Sequence, residues 1–340
     1  MKKIFISVII FVLIAFIAVY FTTFKANFNT DKDKTYFYIP KNTKINTVKH
    51  DLQKNGYLKN YFTFALLSKF YKPTDSIKTG AYLITPAMSN IRFLNKIYKR
   101  EQSPIKLKIN NIRLKSQLAS KISKQLNIDS LELLNRLNDN IFLQKYDLTK
   151  ENVLTVFIPN TYEVYWTIST EQFFDKMKNE HGKFWNTERL KKAEQIPLSP
   201  VDVEILASIV DEETNKSYEK PIIAGLYINR LKIGMPLQAD PTARYALGDF
   251  SINQVLNSYT KIKSPYNTYL NKGLPPGPIR IASIEGIDAV LNYQKHNYLY
   301  MCAKPELNGE HNFTDSYAKH QKYANDYYKA LKEWKLKNSH

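Results

Sequence analysis

The sequence has a single cysteine, Cys302, among 340 residues. One thiol excludes an intrachain disulfide and any zinc site built on a cysteine pair. Cys302 lies in the apolar run 298–303, which is typical of a buried strand, so we interpret it as a core residue. The six histidines are not spaced as ligands on one element, and no phosphate-binding glycine loop is present. We therefore predict neither a metal site nor a cofactor.

Charged residues are missing from the start of the chain. Residues 4–24 form an uncharged run of 21 residues, which is long enough to cross a hydrocarbon core as a helix. Lys2 and Lys3 precede this run and should stay in the cytoplasm, which places everything after Lys25 outside it. A cleaved signal peptide is the alternative, but its apolar core is usually shorter and ends at a small-x-small site. We predict a single-pass anchor over residues 1–27.

Acidic residues are fewer than basic ones. The chain has 49 Lys and Arg against 31 Asp and Glu, a formal net charge of +18. This surplus attracts polyanions, although a solvated lysine surface explains most of it. Nucleic acid fits the charge alone, but the basic part lies outside the cytoplasm and lacks zinc-ligand or RNA-binding aromatic patterns. We expect anionic lipid headgroups and acidic polymers as partners, and no nucleic acid.

Two units are predicted after a short polar linker at 28–34. The first covers residues 28–103, and its pattern of strand, two helices and strand resembles a LysM-like module of the kind that binds amino-sugar glycans. A packing module without a ligand has the same pattern. The predicted elements of the first unit are a strand at 36–39, helices at 45–56 and 62–70, a strand at 81–84 and a helix capped by Ser89.

The second predicted unit covers residues 104–340. Its predicted elements are a strand at 105–109, helices at 114–126 and 131–137, a strand at 153–158 with an exit loop at 159–163, helices at 201–214 and 221–232, strands near 298–303 and 311–314, and a basic helix from Ser316. Helices and strands do not alternate regularly as in parallel βαβ folds. The fold class is therefore α+β, with a larger mixed α/β domain after the small one.

One carboxylate, Glu213, falls on the apolar face of the helix at 201–214. Leu206, Ile209, Val210 and Glu213 share this face at helical spacing. A carboxyl group among apolar neighbours has a raised pKa, so it can stay protonated near neutral pH and act as a general acid. A structural role, such as an ion pair with Arg230, is the alternative.

The same helical phase turns Glu204 and Asp211 away from the Glu213 face and puts Glu212 on its flank. We therefore expect the replacement of Asp211 by Asn to be nearly silent. Polar residues able to position a substrate follow within thirty residues: Asn229, Arg230, Gln238, Asp240 and Thr242. Gly234, Pro236 and Pro241 place the last three on a loop.

Six ordered motifs over roughly a hundred residues carry a family resemblance. They are 207–214 (ASIVDEET), 229–231 (NRL), 234–242 (GMPLQADPT), 264–269 (SPYNTY), 273–279 (GLPPGPI) and 311–313 (HNF). The chain resembles the endolytic murein transglycosylases of the MltG/YceG type. Two positions depart from the family pattern: Asp211 replaces the usual Glu, and Asn160 stands where Asp or Glu is expected.

The resemblance implies that Glu213 is the catalytic acid/base of a peptidoglycan lytic transglycosylase. Such an enzyme cleaves MurNAc–GlcNAc bonds of nascent glycan strands and leaves 1,6-anhydro-MurNAc ends, which terminates elongation. It implies a bacterial inner-membrane enzyme with its catalytic domain outside the cytoplasm, acting on glycan strands beside peptidoglycan synthases. Our candidate glycan-binding residues are Asn229, Arg230, Gln238, Asp240, Thr242, Tyr266, Asn267 and Tyr162, with Tyr269 as a further flat face.

Other functions remain open from the residues alone. Asp240 can serve as the second carboxylate of a muramidase-type hydrolase alongside Glu213. Because Pro241 and Thr242 follow it, Asp240 can equally be the N-cap of a helix. The chain can also be a peptidoglycan-binding scaffold without activity, or a membrane-anchored DNA binder for uptake, as its charge allows.

Overall fold

The computed structural model describes residues 2–30, 35–74, 76–252 and 258–338. The chain forms two compact units. The first comprises Met1–Leu107, Ile122–Ile128 and Tyr162–Ser169, and the second comprises Lys108–Lys121, Asp129–Thr161 and Thr170–His340. The division is therefore not contiguous, because residues 104–107, 122–128 and 162–169 also belong to the first unit.

The first unit has the expected order of elements. These are α1 (Lys2–Thr23), β1 (Thr35–Ile39), α2 (Ile45–Lys54), α3 (Tyr61–Phe70), β2 (Gly80–Ile84) and α4 (Asn90–Lys99). β1 and β2 pair in antiparallel register, with Thr35 opposite Ile84. Ser89 caps α4 by accepting a hydrogen bond from the Arg92 amide, as predicted. The βααβ order is thus confirmed.

Helix α1 is long and apolar enough to cross a membrane, and none of its residues is buried within the protein. Its end is tied into the first unit by amides. Asn90 Nδ2 donates to the carbonyl oxygen of Thr22 at 2.8 Å, and Asn27 Nδ2 donates to Asn90 Oδ1 at 2.8 Å. Asn27 also bonds the backbone of Asn60, the N-cap residue of α3. The end of α1 is therefore attached to the amino-terminal ends of α3 and α4.

The prediction of a polar linker at 28–34 is wrong for its first residue. Phe28 is fully buried, with its ring centroid 4.9 Å from that of Phe93 and 6.1 Å from that of Phe64. Burying a phenylalanine contributes about 2 kcal/mol, so this position belongs to the core. Residues 31–34 lie outside the described residues.

The remaining elements complete a mixed α+β fold. In chain order they are β3 (Ile105–Ile109), α5 (Lys115–Ser123), α6 (Ser130–Arg136), α7 (Asn140–Gln144), a 3₁₀ helix (Val153–Val156), β4 (Asn160–Val164), α8 (Thr170–Phe184), α9 (Thr187–Gln195), α10 (Pro200–Glu213), α11 (Lys220–Lys232), α12 (Asp240–Leu247), a 3₁₀ helix (Tyr259–Lys261), α13 (Ile284–Leu291), β5 (Tyr300–Ala303), β6 (His311–Thr314) and α14 (Tyr317–Lys337). β3 pairs with β4, and β5 pairs with β6 in antiparallel fashion. Cys302 lies in β5 as expected but is half-buried rather than part of the core.

The predicted strand at 153–158 is wrong. Residues Val153–Val156 form a 3₁₀ helix whose four side chains are all buried, and the strand β4 follows at 160–164, where we expected a loop. A short run that is apolar on every side has no period, so it fits a buried helix as well as a buried strand. β4 buries Tyr162 and Val164 in alternation.

Helix α10 is the central helix of the second unit. Ser199 and Asp202 form a capping box at its start, and Pro200 occupies the first turn. Every residue from Val203 to Asp211 is buried, because α9, α11, α12, α13 and the first 3₁₀ helix pack around it. The expected outward face of this helix is therefore wrong: Glu204 and Asp211 are 2% and 7% exposed.

Asp211 is held by several donors. Lys220 Nζ lies 2.8 Å from Asp211 Oδ1, and the Ser283 amide and hydroxyl donate to the same carboxylate at 2.7 and 2.8 Å. A Cβ at Gly286 would come within 2.6 Å of Asp211 Oδ1, so α13 packs directly against the carboxylate. Asp211 thus joins α10 to α11 and α13.

We predict that Asp211→Asn lowers the free energy of unfolding by about 2–3 kcal/mol, because an amide cannot accept from all of these donors and leaves a buried ammonium with less compensation. Asp326→Asn on the exposed face of α14 is the matched control and should change stability by less than about 0.5 kcal/mol. Chemical denaturation in detergent micelles, followed by circular dichroism, measures both. Equal stabilities of the two variants would contradict the prediction.

Candidate active site

Glu213 is the last residue of α10 and is half-buried. The Tyr227 hydroxyl, from the neighbouring helix α11, donates to Glu213 Oε1 at 2.5 Å. Burial raises the pKa of Glu213 to about 7; the Tyr227 hydrogen bond opposes this rise, and the Asp240 carboxylate adds to it. A pKa near neutrality means that neither protonation state of Glu213 is strongly disfavoured at neutral pH. This carboxyl can give a proton and take one back under the same conditions.

Glu212, the preceding residue, lies among three arginines. Arg113 Nη2, Arg244 Nη2 and Arg280 Nη1 approach its oxygens to 2.6, 2.9 and 2.8 Å. Burial opposes ionisation of Glu212, but these guanidinium groups outweigh it and leave its pKa lowered. Glu212 is therefore an anion that anchors the end of α10, and it is a poor proton donor.

The chain directly after Glu213 is fixed by another buried carboxylate, Glu219. Thr214 Oγ1 donates to Glu219 Oε2 at 3.1 Å, and the His311 amide donates to Glu219 Oε1 at 2.7 Å. His311 Nδ1 lies 2.9 Å from Glu219 Oε2. β6 is thereby attached to the end of the helix that carries Glu213.

Asp240 is the first residue of α12 and is exposed. Ala239 is the N-cap, and no side chain caps this helix, so the interpretation of Asp240 as a capping residue is wrong. The Tyr269 hydroxyl donates to Asp240 Oδ1. Burial and this hydrogen bond raise the pKa of Tyr269, which keeps it a donor. Asp240 is close enough to Glu213 to influence its pKa.

Asn229 and Arg230 bind the backbone. Asn229 Nδ2 donates to the carbonyl oxygens of His296 and Tyr298 at 2.7 and 3.1 Å. Arg230 Nε donates to Leu299 O at 2.7 Å, and Arg230 Nη1 donates to Leu237 O at 2.5 Å. Both side chains hold the chain before β5 against α11, and Arg230 also holds the loop before α12. The guanidinium also lowers the pKa of Glu213.

Thr242 and Asn267 are fully buried. The Thr242 hydroxyl donates to Ala239 O at 2.7 Å and lies 2.7 Å from the Thr268 hydroxyl. Asn267 Nδ2 donates to the carbonyl oxygens at 260 and 262 at 2.9 and 2.8 Å. These two side chains shape the loops beside Asp240 from within.

Gln238 differs from these buried side chains because it is exposed. Its φ of 50° is left-handed, which costs a non-glycine residue about 1 kcal/mol. Strain of this kind persists where the surrounding structure holds a residue in place, and it often occurs at functional sites. The backbone amide of Gln238 donates to the carbonyl oxygen of Thr268 at 3.1 Å. The backbone is therefore fixed, while the side chain is exposed to solvent.

The aromatic candidates lie in different units. Tyr266 is half-buried in the second unit, with its ring centroid 4.8 Å from that of Tyr245. Tyr162 is 6% exposed and belongs to the first unit, whereas Glu213 belongs to the second. Asn160, the departure from the family pattern, is exposed on β4, and its side chain accepts from the Thr161 amide at 2.7 Å.

Two residues near Glu213 were missed from the sequence, Tyr227 and Arg244. Tyr227 lies two residues before Asn229 in an apolar helix, and its position in the sequence is typical of a core residue. Arg244 lies four residues after Asp240, one turn further along α12, and this spacing is the signal that places it on the same face. Within the part of the chain that the structure describes, no group of three or more His, Cys, Asp or Glu residues is arranged to hold a metal ion.

The fold of this chain is similar to that of a solved structure. The chain is similar to a yceG-like protein from Listeria monocytogenes, solved by crystallography at 2.6 Å, with 26% identity and a TM-score of 0.55, over 86% of this chain and 99% of that one. The model of the YceG-like family matches residues 37–326. The chain belongs to the YceG-like family.

Two curated relatives bear the same name, endolytic murein transglycosylase. The relative from Bacillus subtilis (strain 168) is 28% identical over 87% of this chain and 85% of its own length. The relative from Streptococcus pneumoniae serotype 2 (strain D39 / NCTC 7466) is 27% identical over 78% of this chain, and the match spans 53% of its own length. The resemblance seen in the six motifs is confirmed.

We predict opposite pKa changes for two substitutions beside Glu213. Tyr227→Phe removes a donor to the ionised form and should raise the pKa of Glu213 above about 7. Asp240→Asn removes a nearby negative charge and should lower it. Carbon-13 NMR titration of glutamate-labelled protein measures both, with the Glu213 signal assigned by its loss in Glu213→Gln. Shifts of the same sign in the two variants would contradict this account.

Proposed function

We propose that this protein is an endolytic murein transglycosylase in which Glu213 is the single acid/base. The observation that carries the proposal is the position of Glu213, which is half-buried at the end of α10 and accepts a hydrogen bond from the Tyr227 hydroxyl. Burial in this position raises its pKa to about 7. The names of the curated relatives support the substrate, the glycan strand of peptidoglycan.

The proposed reaction needs one carboxyl and no water. Protonated Glu213 gives its proton to the oxygen between MurNAc and GlcNAc as that oxygen leaves C1, and the GlcNAc end becomes a free 4-hydroxyl. The 6-hydroxyl of the same MurNAc attacks C1, and Glu213, now ionised, takes the hydroxyl proton. The products are a 1,6-anhydro-MurNAc end and a restored Glu213. The intramolecular nucleophile can lower the barrier by up to about 7–11 kcal/mol when it is well oriented.

Gln238 and Asp240 are our first candidates for direct contact with glycan, because both side chains are exposed. Asp240 lies close enough to Glu213 to raise its pKa. Tyr266 and Tyr269 offer ring faces in the same unit, and Tyr162 is a candidate from the first unit. Asn229, Arg230, Thr242 and Asn267 act by positioning the loops around these residues.

Glu213→Gln should lower the rate of muropeptide release by about a hundredfold or more, because the amide keeps the size of the side chain but carries no transferable proton. Purified sacculi, digested and analysed by mass spectrometry, provide the measurement. Asp326→Asn is the matched surface control and should retain activity. A Glu213→Gln variant with near wild-type activity would sink the proposal.

The same products separate three alternatives. Anhydro ends support transglycosylation, whereas reducing MurNAc ends in the wild-type digest would indicate a muramidase that uses Glu213 and Asp240. Binding of sacculi without any release would indicate a scaffold. Asp240→Asn should leave anhydro products as the outcome even where the rate falls.

We also propose that α1 is a single-pass anchor in the bacterial inner membrane, with the rest of the chain outside the cytoplasm. An apolar helix of 22 residues supports this. An anchored enzyme cuts only strands near the membrane, where new glycan emerges beside the synthases, and so acts as a terminase of elongation. The LysM-like unit then serves as a spacer or glycan guide.

Replacement of residues 1–21 by a cleavable signal peptide, which keeps Thr22 and Asn27 and their bonds to the first unit, should leave catalysis by the released protein intact and broaden the length distribution of wall glycans in cells. Chromatography of glycan strands after amidase treatment measures the distribution. The full-length protein expressed at the same level is the control. An unchanged distribution would argue against the fixed reach, and a native amino terminus processed near residue 25 would argue against the anchor.

A further inference from the structure

A cavity of about 1030 Å³ lies within the first unit. Its walls come from the loop between β1 and α2, the loop between α3 and β2, the end of α4, and Asn127 and Thr167. Five cationic side chains line it, and we call them the basic groove: Lys41, Lys44, Lys72, Lys78 and Arg100. The groove lies in the first unit, whereas Glu213 lies in the second.

The positive charge of the basic groove is uncompensated among the described residues. The described lining residues include no Asp or Glu, and none of the five cations forms an ion pair with a described carboxylate. Lys78 Nζ instead donates to the hydroxyl of Ser76 at 3.2 Å. Five charges of the same sign around one cavity repel one another and together attract an anion.

Uncharged polar groups lie between the cations. They are Asn42, Thr43, Asn46, Thr74, Ser76, Asn127 and Thr167. A ligand that satisfies both sets carries hydroxyl groups as well as negative charges. Four of the five cations are lysines, whose compact ammonium groups bind phosphate as point charges. A polyol phosphate chain therefore satisfies both the cations and the uncharged polar groups of the lining.

The location of the basic groove separates it from the end of the apolar helix. The end of α1 is tied to the amino-terminal ends of α3 and α4 through Asn27 and Asn90. The groove residues Lys72 and Arg100 follow the carboxyl-terminal ends of those helices. Each helix has ten residues and is about 15 Å long. The basic groove and the end of α1 therefore lie at opposite ends of α3 and α4.

We propose that the basic groove binds a linear anionic polyol, a phosphodiester chain with free hydroxyl groups. The inference uses no property of Glu213 and stands independently of the proposed cleavage. It requires only that the ligand approaches from the aqueous side.

The test measures binding of fluorescently labelled poly(glycerol phosphate) to the full-length protein in phosphatidylcholine nanodiscs by anisotropy. Lys41, Lys44 and Lys72 are exposed, so the triple variant to Gln should fold. We expect its affinity to fall by about tenfold or more, with a smaller salt dependence than wild type. The triple variant of Lys54, Lys59 and Lys69 to Gln is the matched control in the same unit, because it loses the same charge, and it should bind within about twofold of wild type.

Four outcomes would overturn the proposal. Equal losses in both triple variants would mean that net charge alone attracts the polymer. Tighter binding of polygalacturonate or of a DNA duplex would assign the groove to a carboxylated glycan or to nucleic acid. Loss of polymer binding when the nanodiscs contain phosphatidylglycerol would assign the basic groove to the membrane surface. Binding of a neutral N-acetylglucosamine oligomer with no binding of poly(glycerol phosphate) would make it a neutral glycan site. Activity of Glu213 on sacculi is measured separately and has no bearing on these outcomes.

Discussion

Three consecutive carboxylates at the buried end of α10 are the constraint on which the rest of the structure depends. Each is stabilised differently: Asp211 by Lys220, Glu212 by three arginines, and Glu213 by the neutral hydroxyl of Tyr227. The first two have cations in direct contact, and their ion pairs, together with the hydrogen bonds from Ser283 to Asp211, hold α11, α12 and the start of α13 around the helix. Glu213 has no such cation in direct contact among the described residues, so burial dominates and raises its pKa to about 7. The same helix end thus carries two structural anchors and one carboxyl with a raised pKa.

The sequence predicts the acid but not the anchors. Helical phase places Glu213 on the apolar side because Leu206, Ile209 and Val210 precede it at the right spacing. The same phase puts Asp211 toward solvent, and the structure buries it. A prediction from helical phase assumes that one face of the helix is exposed to solvent. No face of α10 is exposed, because helices surround it. The partners of Asp211, Lys220 and Ser283, lie 9 and 72 residues away, which no local pattern reveals.

A similar reason explains the polar residues after α11. Their density next to Glu213 predicts a site, but density does not say which side chains face a ligand. Arg230 and Asn229 bind backbone oxygens 69 and 67 residues further along the chain. Such bonds join loops that only the tertiary fold brings together. The cap of α4 was predictable because its determinant, Ser89, acts within one turn, and the βααβ order was predictable because each of its elements has its own local pattern.

The amide contacts of Asn27 and Asn90 have a mechanical consequence. They join the last turn of α1 to the folded part of the first unit, and Phe28, only a few residues later, is already in the core. A helix joined in this way cannot rotate freely relative to the folded part of the first unit. If the surrounding bilayer thins or thickens, a spanning helix changes its tilt, and the first unit must turn with it. The orientation of that unit above the membrane would then report the local thickness of the bilayer.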